Sequence, residues 1–185
     1  ATPTPTTAPD VFGITPIEPA IVLADFTMPA STGQDLSLSD LNGEYSLLFF
    51  GFSHCPDFCP TTLAEFTQIK EALGGDADRM QFVFVSVDGE RDTPEVLAEY
   101  LSRFDPAFIG LQGDDATLAE IDGDYGLSYQ LRIDEADEDG NYAVDHTTFS
   151  YLIDPQGRLR ALIAYNAERD DIVAHIQSVM AADAA

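Results

Sequence analysis

Ser46 to Leu63, SLLFFGFSHCPDFCPTTL, is the stretch whose reading decides the fold. The apolar run Leu47 to Phe50 has the length of a buried strand. Leu63, Phe66, Ile69 and Leu73 then recur at helical spacing. The chain's only two cysteines, Cys55 and Cys59, therefore sit on a strand-to-helix turn. Pro60 follows Cys59 and suits the first helical position, where a missing N–H costs nothing. Cys59 is thereby expected at the helix N-terminus, whose dipole favours a thiolate. A thiolate is both nucleophile and metal ligand. The i, i+4 spacing allows either a disulfide or two bonds to one metal ion. A bridge closing so short a loop adds only ~2 kcal/mol, so the pair reads as a site rather than a staple.

Outward from this turn, strands alternate with helices. Gln81 to Val87 is a second buried strand. Asp88 to Pro94 is a loop, and Thr93-Pro94 caps and opens a helix reaching Phe104. Phe108 to Leu111 is short and ambiguous. Asp114-Asp115 begins a helix ending near Gly123. Leu127 to Ile133 and Tyr142 to Val144 alternate weakly around an acidic run, Asp134 to Asp139. That run lacks the final bidentate glutamate of a calcium loop, His146 standing there instead, and reads as a solvated hairpin tip. Phe149 to Ile153 and Arg158 to Tyr165 are strands joined by the type I turn Asp154-Pro155-Gln156-Gly157. The last helix, Glu168 to Met180, buries Ile172, Val173, Ile176 and Val179. Upstream, Ala20 to Phe26 reads as a strand, with Gln34 to Leu38 pairing back as an N-terminal hairpin. The expected fold is α/β: a thioredoxin-like mixed sheet flanked by helices, with an N-terminal hairpin.

The length of 185 residues favours one domain. Residues 1–19 read as a Pro/Thr-rich linker or tail and 20–185 as the domain. The chain opens at Ala1 with no charged-then-apolar leader, so it reads as a mature or trimmed form. Against 33 acidic residues stand 8 basic ones, for a net charge of −25. Such a surface repels nucleic acid and anionic lipid headgroups, so nucleic acid is discounted as a partner and a membrane is expected only through an anchor. It is a solvated surface first, and a field that steers a basic partner or gathers cations second.

The stretch GFSHCPDFCP (51–60) resembles the signature of the Sco/SenC family of copper-binding, thioredoxin-like proteins that help assemble cytochrome c oxidase. VSVDGERDTPEVL (85–97) and YAVDHTTFSYLIDPQGRL (142–159) extend the resemblance, which runs from about Asp25 to the C-terminal helix. Gly89 departs from it, standing where the family usually has proline. The resemblance implies that the histidine matching His146 is a metal ligand beside Cys55 and Cys59. The loop that carries a cis-proline in thioredoxins reads Val144-Asp145-His146-Thr147 here, without a proline. Two thiolates with one imidazole suit copper in either oxidation state; structural zinc usually takes four ligands. His54 is expected to point away from the thiols, and His175 to lie on or near the surface. Asp88 could hydrogen-bond near the metal or pair with Arg91, with loop capping the favoured role; Asp145 could orient His146 as a hydrogen-bond acceptor, again the less favoured of its two roles.

Two functions follow. In the first, the chain is a metallochaperone carrying one copper ion on Cys55, Cys59 and His146. The resemblance supplies the partners: the copper-site subunit of a membrane oxidase, and another copper carrier. It also implies an extracytoplasmic location, with a membrane anchor upstream of the linker. In the second, the chain is a thiol-disulfide oxidoreductase acting on cysteines of the oxidase copper site. Against the second stand the three-residue spacing and the missing cis-proline. A peroxiredoxin-type peroxidase is set aside. It needs Thr three and Pro seven residues before its cysteine, and those positions hold Pro56 and Phe52, or Phe52 and Leu48.

Overall fold

A computed structural model describes residues 12–184. Most of the proposed linker, residues 1–11, lies outside the described residues.

The molecule is built on β4 (Tyr45–Gly51), all seven of whose residues are buried. Its alternate side chains serve opposite faces of the sheet. Phe49 packs against Phe66 and Phe84, whereas Phe50 packs edge-on against Tyr125 and Tyr151. A strand buried on both faces reads as a continuous apolar run, which is why Leu47 to Phe50 shows no alternation. Phe66 belongs to α1 (Phe58–Leu73) and Tyr125 to α3 (Asp115–Tyr125), so helices cover both sides.

Beside β4 run β5 (Met80–Ser86) and β6 (Ile109–Gln112), both parallel to it. On its other side lie β9 (Ser150–Ile153), β10 (Arg158–Ile163) and β1 (Ile14–Val22), each antiparallel to its neighbour. The six-stranded order is β1-β10-β9-β4-β5-β6, the expected mixed sheet. α2 (Pro94–Ser102) packs on β6 so closely that a Cβ on Gly110 would lie 2.8 Å from Leu97 Cβ. α4 (Arg169–Asp183) buries Ile172, Ile176, Val179 and Met180, leaving Val173 half-buried. Two further ribbons stand apart from the main sheet. One pairs β2 (Thr27–Pro29) with β3 (Asp35–Ser37), and the other pairs β7 (Tyr129–Leu131) with β8 (Val144–His146).

The N-terminal expectation needs correction. The first strand begins at Ile14, inside the stretch read as linker, and joins β10 as an outer strand of the main sheet. The hairpin is β2 with β3 instead. Pro16 and Pro19 made residues 14–19 look like linker, yet an edge strand tolerates proline because one side of its ladder has no partner. The short segment before Asp114 proves to be strand β6. α1 begins at Phe58, so Pro60 is its third residue; the N–H that proline lacks is still one of the four with no intrahelical partner.

Candidate metal and thiol site

The carboxyl end of β4 delivers the cysteine loop, as parallel strands do for ligand sites. Cys55 is half-buried and Cys59, in the first turn of α1, is 0% exposed; both are free thiols. Gly51 ends β4 because nothing larger fits: a Cβ there would stand 2.8 Å from Cys59 Sγ and from the Phe84 ring. The turn closes through Cys55 N–H to the Phe52 carbonyl at 3.3 Å. Cys59 N–H points at Cys55 Sγ at 3.5 Å.

From the opposite side, the last residue of β8 brings in His146. Its Nε2 lies 3.7 Å from Cys59 Sγ. Its Nδ1 lies 2.8 Å from the Thr147 carbonyl. A carbonyl only accepts, so Nδ1 carries a proton and gives it to Thr147, and Nε2 is the ring nitrogen that faces the thiols. The ring is wedged edge-on between Phe49 and Phe52, with centroids 5.9 and 5.8 Å away. Asp145 does not take the orienting role that was open to it. Its carboxylate is exposed and takes two bonds from Arg132. Neighbouring strand residues point to opposite faces, so Asp145 faces away from the site by the same alternation that aims His146 at it.

The two thiols are electrostatically unequal. Cys55 is held well below the ordinary thiol range, first by the Cys59 S–H, against the cost of burial, then by His146 and the N–H groups of Cys59 and Asp57. Cys59 is pushed up by giving its proton to Cys55, by burial, and by the negative charge of Asp92. Cys55 is therefore the thiolate and the accessible nucleophile of the pair.

His54 is 45% exposed and is held by Ser53 Oγ at 3.0 Å, with Asp92 beyond at 3.8 Å. His175 is half-buried on α4, remote in sequence from the thiols, and burial lowers its pKa. Asp88 is buried, accepts from Tyr142 Oη at 2.8 Å, and pairs with Arg91. Gly89 allows close packing: a Cβ there would strike the Gly113 carbonyl. Gln112 Nε2 then holds the Gly89 carbonyl at 2.6 Å, stiffening the loop by contact.

Asp92 escaped the sequence reading. It is fully buried beneath the cysteine loop, which it binds through Ser53. An acidic residue in the loop at the carboxyl end of β5 was the available signal. Phe58 and Phe149, both exposed aromatics, flank Cys59 and His146 in sequence, and Phe58 meets Tyr165 edge-on at 4.9 Å.

The donors present are two sulfurs and an imidazole nitrogen, a set suited to soft and borderline ions such as copper. Among the described residues, no three His, Cys, Asp or Glu side chains already stand in a complete metal-binding arrangement. The structure brings the three side chains together, Cys59 buried in contact with His146 and Cys55 half-buried beside both.

A family model described as SCO1/SenC matches residues 15–181. A SCO2-like protein of Rickettsia felis is 40% identical over 134 residues, covering 72% of this chain and 65% of the relative. The chain thus spans a little less than two thirds of the length of such curated relatives, 64% to 65%. Among solved structures, copper-bound ScoI of Bradyrhizobium japonicum is 36% identical with a TM-score of 0.75, covering 85% of this chain and 98% of that one. Apo Sco1 of Thermus thermophilus is 36% identical with a TM-score of 0.79, covering 94% and 99%.

Proposed function

This chain belongs to the SCO1/SenC family, and from that premise we propose that it is a copper metallochaperone whose ion is held by Cys55, Cys59 and His146. The observation that carries this reading is the 3.7 Å approach of His146 Nε2 to Cys59 Sγ, with the Nδ1 proton already committed to Thr147. A soft sulfur from a helix N-terminus and an imidazole nitrogen from a strand end converge although they stand 87 residues apart. Cys55, half-exposed and thiolate-prone, is the first donor an incoming ion meets. The client is the copper-site subunit of cytochrome c oxidase, reached outside the cytoplasm, and another copper carrier supplies the ion. No helix among the described residues is long and apolar enough to cross a membrane.

Anaerobic copper titration of the reduced and the oxidised protein tests the reading. One copper per chain is expected for the dithiol and none held by two thiolates for the disulfide. His146→Ala should weaken Cu(II) by at least the ~10–100-fold that loss of a supporting residue costs at other metal sites. Cu(I), satisfied by two thiolates, should change far less. His54→Ala should leave the Cu(II) spectrum unchanged. Equal copper stoichiometry in the two redox states, or a Cu(II) signal that follows His54 rather than His146, overturns the proposal.

The inequality of the thiols favours a second reading, thiol-disulfide exchange with the client. Cys55 thiolate would attack a client disulfide and release one client thiolate. Cys59, losing its proton, would attack the Cys55 sulfur and release the other. The client gains two electrons and the chain ends as the Cys55–Cys59 disulfide. A disulfide-reductase assay run beside the titration separates the two roles.

A further inference from the structure

Both arms of the site hang on one short loop, Asp88 to Asp92. The loop is folded on itself, the N–H groups of Arg91 and Asp92 both bonding the Asp88 carbonyl. On one side Asp92 grips the cysteine arm. Its carboxylate accepts from Ser53 N–H at 2.8 Å, from Ser53 Oγ, and from Ser86 Oγ of β5 at 2.6 Å. Ser53 stands two residues before Cys55.

On the other side Arg91 grips the histidine arm. Its guanidinium lies 3.5 Å above the Tyr142 ring, gives Nη2 to the Tyr142 carbonyl at 3.2 Å and Nε to Asp88. Asp88 in turn accepts from the Tyr142 hydroxyl. Tyr142 stands two residues before β8. Arg91 also lies 5.9 Å from the Phe52 ring, which packs on His146. The β7–β8 ribbon needs such a support: it has two strands, stands apart from the main sheet, and a lone two-stranded ribbon is marginal in water. Arg91 Nη1 is buried with no hydrogen-bond partner among the described residues, so the side chain is held there at a cost.

We propose that the Asp88–Asp92 loop is a clamp that sets the distance between the thiols and His146. Arg91 is the positioning residue for the histidine and Asp92 the positioning residue for the cysteines. The proposal rests on the copper-site reading for its purpose, but two of its readouts need no copper.

Three variants test it: Arg91→Met, which keeps the stem but removes the guanidinium; Asp92→Ala; and Asp92→Asn, which keeps the shape and an acceptor for Ser53 N–H. Nuclear Overhauser contacts between the His146 ring and Phe49 and Phe52 are read in the reduced, copper-free protein. The Cys55–Cys59 dithiol–disulfide equilibrium is read against glutathione, and Cu(I) and Cu(II) affinities are measured alongside. Arg91→Met should lose the ring contacts and ~10-fold or more in Cu(II) affinity, with the thiol equilibrium nearly unmoved. Asp92→Ala should keep the ring contacts and shift the thiol equilibrium by about tenfold, ~30 mV for two electrons. Asp92→Asn should restore the part of that shift that comes from position, leaving only the smaller part that the Asp92 charge exerts on Cys59. If Arg91→Met does not fold, Arg91→Lys carries the same test, since it cannot both stack on Tyr142 and reach its carbonyl. If Asp92→Ala does not fold, Ser53→Ala removes one bond of the same arm. Retained ring contacts and Cu(II) affinity in the Arg91 variants overturn the histidine half. An Asp92→Asn protein as altered as Asp92→Ala, or an unmoved thiol equilibrium, overturns the cysteine half. Should the wild type bind no copper through His146, the site reading fails, and the ring contacts and thiol equilibrium still judge the clamp.

Discussion

At the residue scale, three donor atoms set the chemistry: two sulfurs four residues apart and one imidazole nitrogen brought in by a long-range contact. Cys55 and Cys59 are the same residue type four positions apart, yet one is a half-exposed thiolate and the other a buried thiol. The difference comes from which sulfur gives its proton to the other, and burial decides that by disfavouring charge on Cys59. Alkylation should report it directly. With iodoacetamide near neutral pH, Cys55 of the reduced protein should react first, and Cys55→Ser should slow first-phase labelling by ~10-fold or more. Cys59→Ser should leave a fast-reacting Cys55. Equal labelling rates for the two single-cysteine variants would show that the inequality is wrong.

At the element scale, caps and edges explain what each segment does. Thr93 accepts from Val96 N–H and starts α2 with Pro94 behind it. Asp114 does more for α3, accepting from the N–H groups of Thr117 and Ala116 at 3.0 and 3.1 Å and from Thr117 Oγ1 at 2.7 Å. The Thr117 N–H, chiefly, lowers its carboxyl pKa. Its folded pKa therefore lies below the unfolded value of ~3.9. The stabilisation it brings is complete above that value and is lost as pH falls through the folded pKa. Replacing Asp114 by Ala should cost ~1 kcal/mol at pH 7 by denaturant unfolding. The gap between variant and wild type should narrow in acid. A gap that stays constant down to pH ~3 would mean the ionised carboxylate plays no part in the cap.

For the whole molecule, the governing quantity is the net charge of −25. Self-repulsion at this density opposes compaction, and salt screens it. Raising sodium chloride from ~0.01 M, where the screening length is ~30 Å, to ~1 M, where it is ~3 Å, should raise the thermal midpoint. Most proteins with balanced charge respond far less. A midpoint that falls or stays flat over that range would show that the acidic groups are not a destabilising field in this fold.

The order of strands and helices, the placing of the cysteines at a strand-to-helix turn, and the Asp154-to-Gly157 turn were legible in the sequence. Each depends on local periodicity or on backbone preference within a few residues. So was the pairing of Arg91 with Asp88, three positions apart. The resemblance carried by residues 51–60 and 142–159 also pointed to His146. What the chain's local pattern did not contain was how the pieces lie against each other. β1 passes for linker until β10 is beside it to show that its prolines sit on an edge. Asp145 looks like the partner of His146 until the β8 pleat turns it to Arg132. Asp92 reads as an ordinary loop acid until burial places Ser53 and Ser86 on its carboxylate. Side-chain direction, burial and contacts between segments remote in sequence are properties of packing. They exist only once the sheet has closed, so only the tertiary structure could decide them.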